Sequence, residues 1–294
     1  MMAYRQITQP TVMGVVNVTP DSFSDGGRFS TTSGIDHHAS IEQAIELCRQ
    51  GAGIIDVGGE ASSFHRPGVA PVAAEQQIHR VVPVINGLQK RRHELSEFSR
   101  DTIMSIDTRC SQVAEAAISA GAQMVNDISA GEHDPAMFRV VMESGCFIVL
   151  MHLWVEAPGP APAPVPHDNI CGEVFGYLRQ RANAAMAAGI ARDRILLDPG
   201  IGFGKAAQDN WRLIAGIGEL VSLGFPVVLG ASRKRFLSDV TAGSASDTWD
   251  QRDLATALVT ALATQRGVLV HRVHNVRAAV MALAVSVQLP ATST

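Results

Sequence analysis

The chain has 294 residues, 46% hydrophobic, 18% charged and only 5% aromatic; this excludes disordered and fibrous classes and describes an α/β protein with a core of Ala, Val, Ile and Leu. A net charge of -4 and a pI near 6.2 exclude a general field for nucleic acid or an anionic membrane, so an anionic ligand must be caught by a local site. No apolar run reaches the ~18 residues of a membrane span, and polar Arg5, Gln6 and Gln9 stand where a signal peptide needs an apolar stretch, so a cytoplasmic protein is expected.

In chain order, short runs rich in β-branched residues fall at 12–18, 53–57, 102–107, 123–128, 146–151, 194–198, 226–230 and 268–273. Each is followed by a stretch of helical periodicity. After the first, Ile41, Ala44, Ile45 and Cys48 share one helical face; after the third, Val113, Ala116, Ala117 and Ala120 do; after the seventh, Leu254, Ala257, Leu258 and Ala261 do. These stripes are expected to cover the strands. Gly51, Gly121, Gly145, Gly189 and Gly224 stand just before strands, where a left-handed helix terminator belongs. Eight βα units in succession predict a parallel sheet closed as a (β/α)8 TIM barrel, a single domain over 1–294 with its core at about 11–288. A Rossmann fold needs Gly-x-Gly-x-x-Gly after an early strand, which neither Gly26-Gly27 nor Gly58-Gly59 supplies. Cys48, Cys110, Cys146 and Cys171 are scattered without metal spacing and read as reduced thiols.

Three connections are long, at 17–34, 58–71 and 152–167, and all leave the carboxyl ends of strands, where barrel enzymes place their sites. The third is proline-rich and reads as an extended spacer. At the same rim the strands end on Asn17, Asp56, Asp107, Asn126 with Asp127, His152, Asp198, the segment 232–235, and Arg272 with His274. Asp56 and Asp127 best suit a purely structural role. Asp107, Asn126, Asp198 and Lys234 suit a flat, nitrogen-rich heterocycle, because carboxylates accept from ring N–H and exocyclic amines. Asn17, Arg66, Arg272 and His274 instead suit an oxyanion. The rim therefore binds a base at one end and phosphate at the other.

The stretch MGVVNVTPDSFSDGG at 13–27 resembles the first signature of the dihydropteroate synthases. DVGGE, RPG, SIDT, NDIS, LMH, LDPGIGFGK, ASRKRF and RVH follow in family order up to His274. The resemblance implies condensation of 6-hydroxymethyl-7,8-dihydropterin pyrophosphate with 4-aminobenzoate, with Mg²⁺, by a dissociative path, in a homodimer. It implies a pterin pocket of Asp107, Asn126, Ile128, Met151, Asp198, Gly230 and Lys234, and a pyrophosphate site of Asn17, Arg66, Arg272 and His274, with Asn17 also on the metal. Phe203, Lys234 and Arg235 take the aminobenzoate end, and Asp21, Ser22 and Phe23 belong to a closing loop. Lys234, Asp107, Asp198, Arg272 and His274 carry the chemistry.

The chain departs from the family at four places, one being the segment after His152, which lacks the usual Gly- and Met-containing motif. GGEASSFHRPG is three residues longer than the common GGESTRPG, Asn275 stands where RVHDV has Asp, and Arg235 stands where many members have Ser. Phe64 and His65 in the longer loop either crowd the substituent that a sulfonamide carries beyond the mimicked carboxylate, or bulge into solvent without effect. Two further readings are a methyltetrahydrofolate-binding methyltransferase barrel, which the first-loop signature and the Ser-Arg-Lys segment oppose, and a pterin-binding paralogue without catalysis.

Overall fold

The computed structural model describes residues 6–19, 30–31, 34–60, 71–154, 166–241 and 248–289. Its main sheet has eight parallel strands: β1 Thr11–Asn17, β2 Ile54–Gly58, β3 Ile103–Asp107, β4 Met124–Asp127, β5 Phe147–Met151, β6 Ile195–Asp198, β7 Val228–Leu229 and β8 Val270–Val273. Hydrogen bonding runs β6-β5-β4-β3-β2-β1-β8-β7. A parallel bridge between Leu197 and Val227, with Leu197 N donating to Pro226 O at 3.0 Å, joins β6 back to β7 and closes the barrel. After the strands come α1 His37–Arg49, α2 Ala74–Lys90, α3 Ser111–Ser119, α4 Met137–Ser144, α5 Ile170–Ala187, α6 Ala207–Ala215, α7 Trp249–Thr264 and α8 Val276–Gln288. A (β/α)8 barrel is the expected fold, and each expected strand appears within two residues of its place.

Side-chain alternation along the strands separates two apolar layers. Met13, Ile54, Met124, Phe147, Val149, Leu196, Val228 and Val270 form one cluster that fills the barrel. The larger cluster, including Val16, Ile55, Ile106, Val125, Ile148 and Leu197, points outward beneath the helices. All five expected helix terminators have positive φ, from +69° at Gly145 to +115° at Gly121.

The expectation for α7 is corrected. Leu254 and Leu258 do not cover the sheet; they are 63% and 60% exposed, and Leu262 is exposed with them. The buried face is Asp253, Ala255, Thr256, Val259, Thr260 and Ala263. Small and polar residues turn inward because Asp253 and Thr256 have hydrogen-bonding partners there, and a buried polar group with a partner costs little. No helix among the described residues is long and apolar enough to cross a membrane. The four cysteines are free thiols, with Cys48 and Cys146 buried.

Candidate active site

One turn above the apolar filling, the barrel interior becomes polar. Asp56 of β2, fully buried, accepts from Ser105 Oγ at 2.6 Å, Asn126 Nδ2 at 3.0 Å and Arg272 Nε at 2.7 Å. Arg272 Nη2 donates to Asp107 Oδ2 at 2.7 Å, so one guanidinium joins two carboxylates across the barrel. Removing an ion from water costs several kcal/mol unless it is paired and fully hydrogen-bonded, and this belt meets that condition. Register explains the grouping: Gly58 lies opposite both Asn17 and Asp107, and Asp107 lies opposite Asn126. A Cβ on Gly58 would stand 3.5 Å from Asp107 Cβ and 3.8 Å from Asn17 Oδ1, so the missing side chain keeps these two polar groups on one open patch.

A second group adjoins the first. Asp198 ends β6 and accepts from Gly200 N at 2.7 Å. Lys234 Nζ donates to Ile201 O and lies 4.2 Å from the centre of the Phe203 ring. A Cβ on Gly230 would meet Asp198 Oδ2 at 3.8 Å, Arg272 Cβ at 3.9 Å and Lys234 Nζ at 4.0 Å. The bare face of Gly230 thus looks into a space bounded by both groups. Ile128, Met151 and Phe203 make a small apolar cluster of their own with Leu153 against it, the combination of apolar walls and a few aimed polar groups that binds a flat ligand. His274 stands beside this space through Ser232, whose Oγ is 2.9 Å from His274 Nδ1 and accepts from His274 N at 3.1 Å.

Burial perturbs the ionisable groups. It pushes Asp107 up to about 7, with Asp56 and Glu60 adding to the rise and Arg272 opposing it. Asp198 is raised by burial, against the pull of Lys234 and of the Gly200 N–H. Lys234 is lowered to about 7 by burial and by the Arg272 charge, while Asp198 works the other way. Burial opposes the charge of Arg272, yet Asp56 and Asp107 hold its pKa above the ordinary value. Perturbed acids and bases sharing one concave space mark a reactive site.

The structure therefore brings together Asp107, Asn126, Ile128, Met151, Asp198, Phe203, Gly230, Lys234, Arg272 and His274, with Asn17 at the edge. Arg235 opens the 3-10 turn Arg235–Leu237 and is exposed. Arg66, Asp21, Ser22, Phe23 and the inserted Phe64 and His65 lie outside the described residues. The expectation of a structural role fits Asp127, whose carboxylate accepts from Ser129 N, Ser129 Oγ and Gly131 N. Asp56 is also structural, but as the centre of the belt that carries Arg272 and Asn126. Lys205 was not singled out by its chemistry. Buried, it donates to the carbonyls of His152, Gly200 and Phe203 at 3.1, 2.9 and 3.3 Å and so shapes the turn after β6. Its signal was the GFGK string, in which Gly200, Gly202 and Gly204 all have positive φ. A Cβ on Gly200 would lie 1.9 Å from His152 O, so only glycine fits there.

A closed barrel with a belt of acids and bases at its carboxyl rim and apolar walls beside it is the site of a pterin-binding barrel enzyme, and the family of that description, "Pterin binding enzyme", matches residues 13–274. The dihydropteroate synthase of Mycobacterium leprae is 41% identical over 278 residues, 93% of this chain and 91% of that protein. Among solved structures, Xanthomonas albilineans dihydropteroate synthase with 4-aminobenzoic acid superposes with a TM-score of 0.80 at 39% identity, covering 96% of this chain and 94% of that one. The same enzyme in complex with 7,8-dihydropteroate gives 0.79 at 38%, with 97% and 96% covered. The chain belongs to the dihydropteroate synthase family, and it is a transferase.

Proposed function

We propose that this chain joins 6-hydroxymethyl-7,8-dihydropterin pyrophosphate to 4-aminobenzoate, releasing pyrophosphate, by a dissociative path. The observation that carries this reading is the space in front of Gly230, where Asp198, Arg272 and Lys234 converge beside the Ile128, Met151 and Phe203 walls. The pterin ring lies between those walls and donates its N–H groups to Asp107 and Asp198, and Asn126 serves its remaining edge. The bond between the pterin methylene carbon and the bridging oxygen breaks, and its electron pair leaves with pyrophosphate. Cationic charge then develops on the methylene, and the two carboxylates stabilise it electrostatically. The amine of aminobenzoate supplies the pair for the new carbon–nitrogen bond and loses one proton. Lys234, 4.2 Å over the Phe203 ring and beside Asp198, bridges the two substrates. Arg272 and His274 are the residues we assign to the anion end; Arg66, which the family resemblance also assigns there, lies outside the described residues.

Among the described residues no group of three or more His, Cys, Asp or Glu is arranged to hold a metal. The open patch that Gly58 leaves between Asn17 Oδ1 and Asp107 offers the one or two protein oxygens that Mg²⁺ takes beside several waters and substrate phosphates. Asn17 Oδ1 is the protein oxygen we assign to it. When bound, Mg²⁺ neutralises charge on the departing pyrophosphate.

We further infer a homodimer. Leu254, Leu258 and Leu262 on α7 and Met281 and Val285 on α8 form an exposed apolar face on two helices that lie against each other; contiguous apolar surface of this kind marks an interaction site. Free thiols fit a cytoplasmic location, and the longer second loop supports reduced sulfonamide affinity. Positional isotope exchange tests the order of events. With the bridging oxygen of the pterin pyrophosphate labelled and aminobenzoate withheld, scrambling into non-bridging positions supports cleavage before attack. A chain that forms dihydropteroate when aminobenzoate is supplied but shows no scrambling without it favours direct displacement.

A further inference from the structure

The loop between β7 and α7 carries Ser232 and Lys234 into the site, and between them Arg233 has φ +58°. A residue with a Cβ is unfavourable there and persists only where its surroundings hold it. The holding contacts are specific. Arg233 Nε and Nη2 grip both oxygens of Asp253 on α7, at 2.8 and 2.9 Å, its N–H donates to Thr256 Oγ1 at 3.3 Å, and its carbonyl accepts from Arg252 Nη1 at 3.3 Å. Asp253 is buried, and an arginine fork on a buried carboxylate is among the stronger and more directional contacts a protein makes.

The same carboxylate reaches the neighbouring loop. Asn275, directly after His274, donates Nδ2 to Asp253 Oδ2 at 3.2 Å while its Oδ1 accepts from Ala278 N at 3.0 Å as the cap of α8. An amide does both, since it has a donor and an acceptor, whereas a carboxylate only accepts. An Asp in this place could cap the helix but would face Asp253 with like charge. This accounts for the Asn that stands where the RVHDV motif has Asp.

We propose that Asp253 is a positioning residue for the reaction proposed above: through Arg233 and Asn275 it fixes the two loops that present Lys234 and His274 to the substrates. The inference rests on that reading of the reaction, and the experiment separates the two. Steady-state kinetics, circular dichroism and thermal midpoints are measured on the full chain and on Asp253→Ala, Arg233→Gly, their double variant, Asn275→Asp, and Asp253→Ala/Asn275→Asp. Glycine accepts positive φ, so Arg233→Gly removes the grip without adding backbone strain.

The expected result is a loss of at least tenfold in kcat for Asp253→Ala with native circular dichroism, and no further loss in the double variant, because the two residues act as one unit. Asn275→Asp lowers kcat at least tenfold in the parent and by less than threefold in the Asp253→Ala background, because the like charge that it faces there has been removed. A kcat within threefold of the parent for Asp253→Ala, single losses that multiply in the Asp253→Ala/Arg233→Gly variant, or an Asn275→Asp loss of the same size with and without Asp253 overturns the proposal. Should Asp253→Ala fail to fold, Arg233→Gly and Asn275→Asp decide: each is expected to lose at least tenfold in kcat with native circular dichroism, and a kcat within threefold of the parent in either overturns the proposal. If the parent itself forms no dihydropteroate, the reading of the reaction fails. The positioning claim is then read from calorimetric binding of dihydropterin pyrophosphate to the same variants, with the same tenfold losses and the same lack of further loss in the double variants.

Discussion

Replacing Gly230 with Ala tests where the pterin lies without disturbing the fold. Gly230 is not among the positive-φ glycines, and the added Cβ would sit 3.8 Å from Asp198 Oδ2, 3.9 Å from Arg272 Cβ and 4.0 Å from Lys234 Nζ, all ordinary van der Waals separations. The protein atoms around Gly230 therefore leave room for the methyl group. A ligand filling that pocket does not, and one misplaced methyl in a well-packed space costs about 1–3 kcal/mol. At 1.4 kcal/mol per factor of ten, the affinity for dihydropterin pyrophosphate should fall about 5- to 150-fold. Calorimetry gives the Kd and initial rates give the KM, with the thermal midpoint as control. Gly176→Ala in the middle of α5, where an added Cβ meets nothing within 4 Å, should leave affinity unchanged and stabilise the helix by about 0.5–1 kcal/mol. If Gly230→Ala binds the pterin within twofold of the parent, the ligand does not occupy the space between Asp198, Arg272 and Lys234.

Lys234→Ala and Asp107→Ala should each lower kcat/KM by more than tenfold, the effect of losing ~1.4 kcal/mol of transition-state contact, and a variant keeping more than a tenth of parental activity excludes that residue from the chemistry. Because burial raises Asp107 from 3.8 to about 7, the folded protein holds a proton there that the unfolded chain has released, so this contribution to stability is lost as pH rises from about 4 to about 7. Thermal midpoints across that window should fall more for the parent than for Asp107→Asn, and parallel curves contradict the assignment. Leu258→Arg, placed on the exposed face of α7, should convert the proposed dimer to a monomer in analytical ultracentrifugation, and an unchanged sedimentation coefficient removes this face from the interface. Trimming 61–65 toward the shorter family sequence should lower the ratio of sulfonamide Ki to aminobenzoate KM by more than threefold; a smaller change leaves under ~0.7 kcal/mol of discrimination in the loop.

The strands were legible because a parallel sheet covered on both faces writes each strand as an almost uninterrupted apolar run, as in FIVLM of β5. The rim was legible for the same reason in reverse: Asp107, Asn126 and Asp198 interrupt such runs at their ends. Partners were not. Arg272 reads as an anion ligand from its type alone, whereas its bonds reach Asp56 and Asp107 at sequence separations of 216 and 165 residues, distances over which no local pattern carries information. The orientation of α7 was misread because Leu254 and Leu258 form a clean helical stripe, and apolar periodicity does not say whether the stripe faces a sheet or another chain. Asp253 and Thr256, polar and turned inward, are accounted for only once Arg233 is seen against them.

The account's central claim is that the polar belt and the Lys234 loop together make a condensing enzyme, and direct product analysis tests it. Purified chain is incubated with 6-hydroxymethyl-7,8-dihydropterin pyrophosphate, 4-aminobenzoate and Mg²⁺, and both 7,8-dihydropteroate and released pyrophosphate are quantified by mass spectrometry and a phosphate-coupled assay. The account predicts the two products in equal amounts for the parent and at least tenfold slower formation of both for Lys234→Ala. Release of pyrophosphate with no dihydropteroate, or no turnover by a folded parent that binds the pterin, would contradict it.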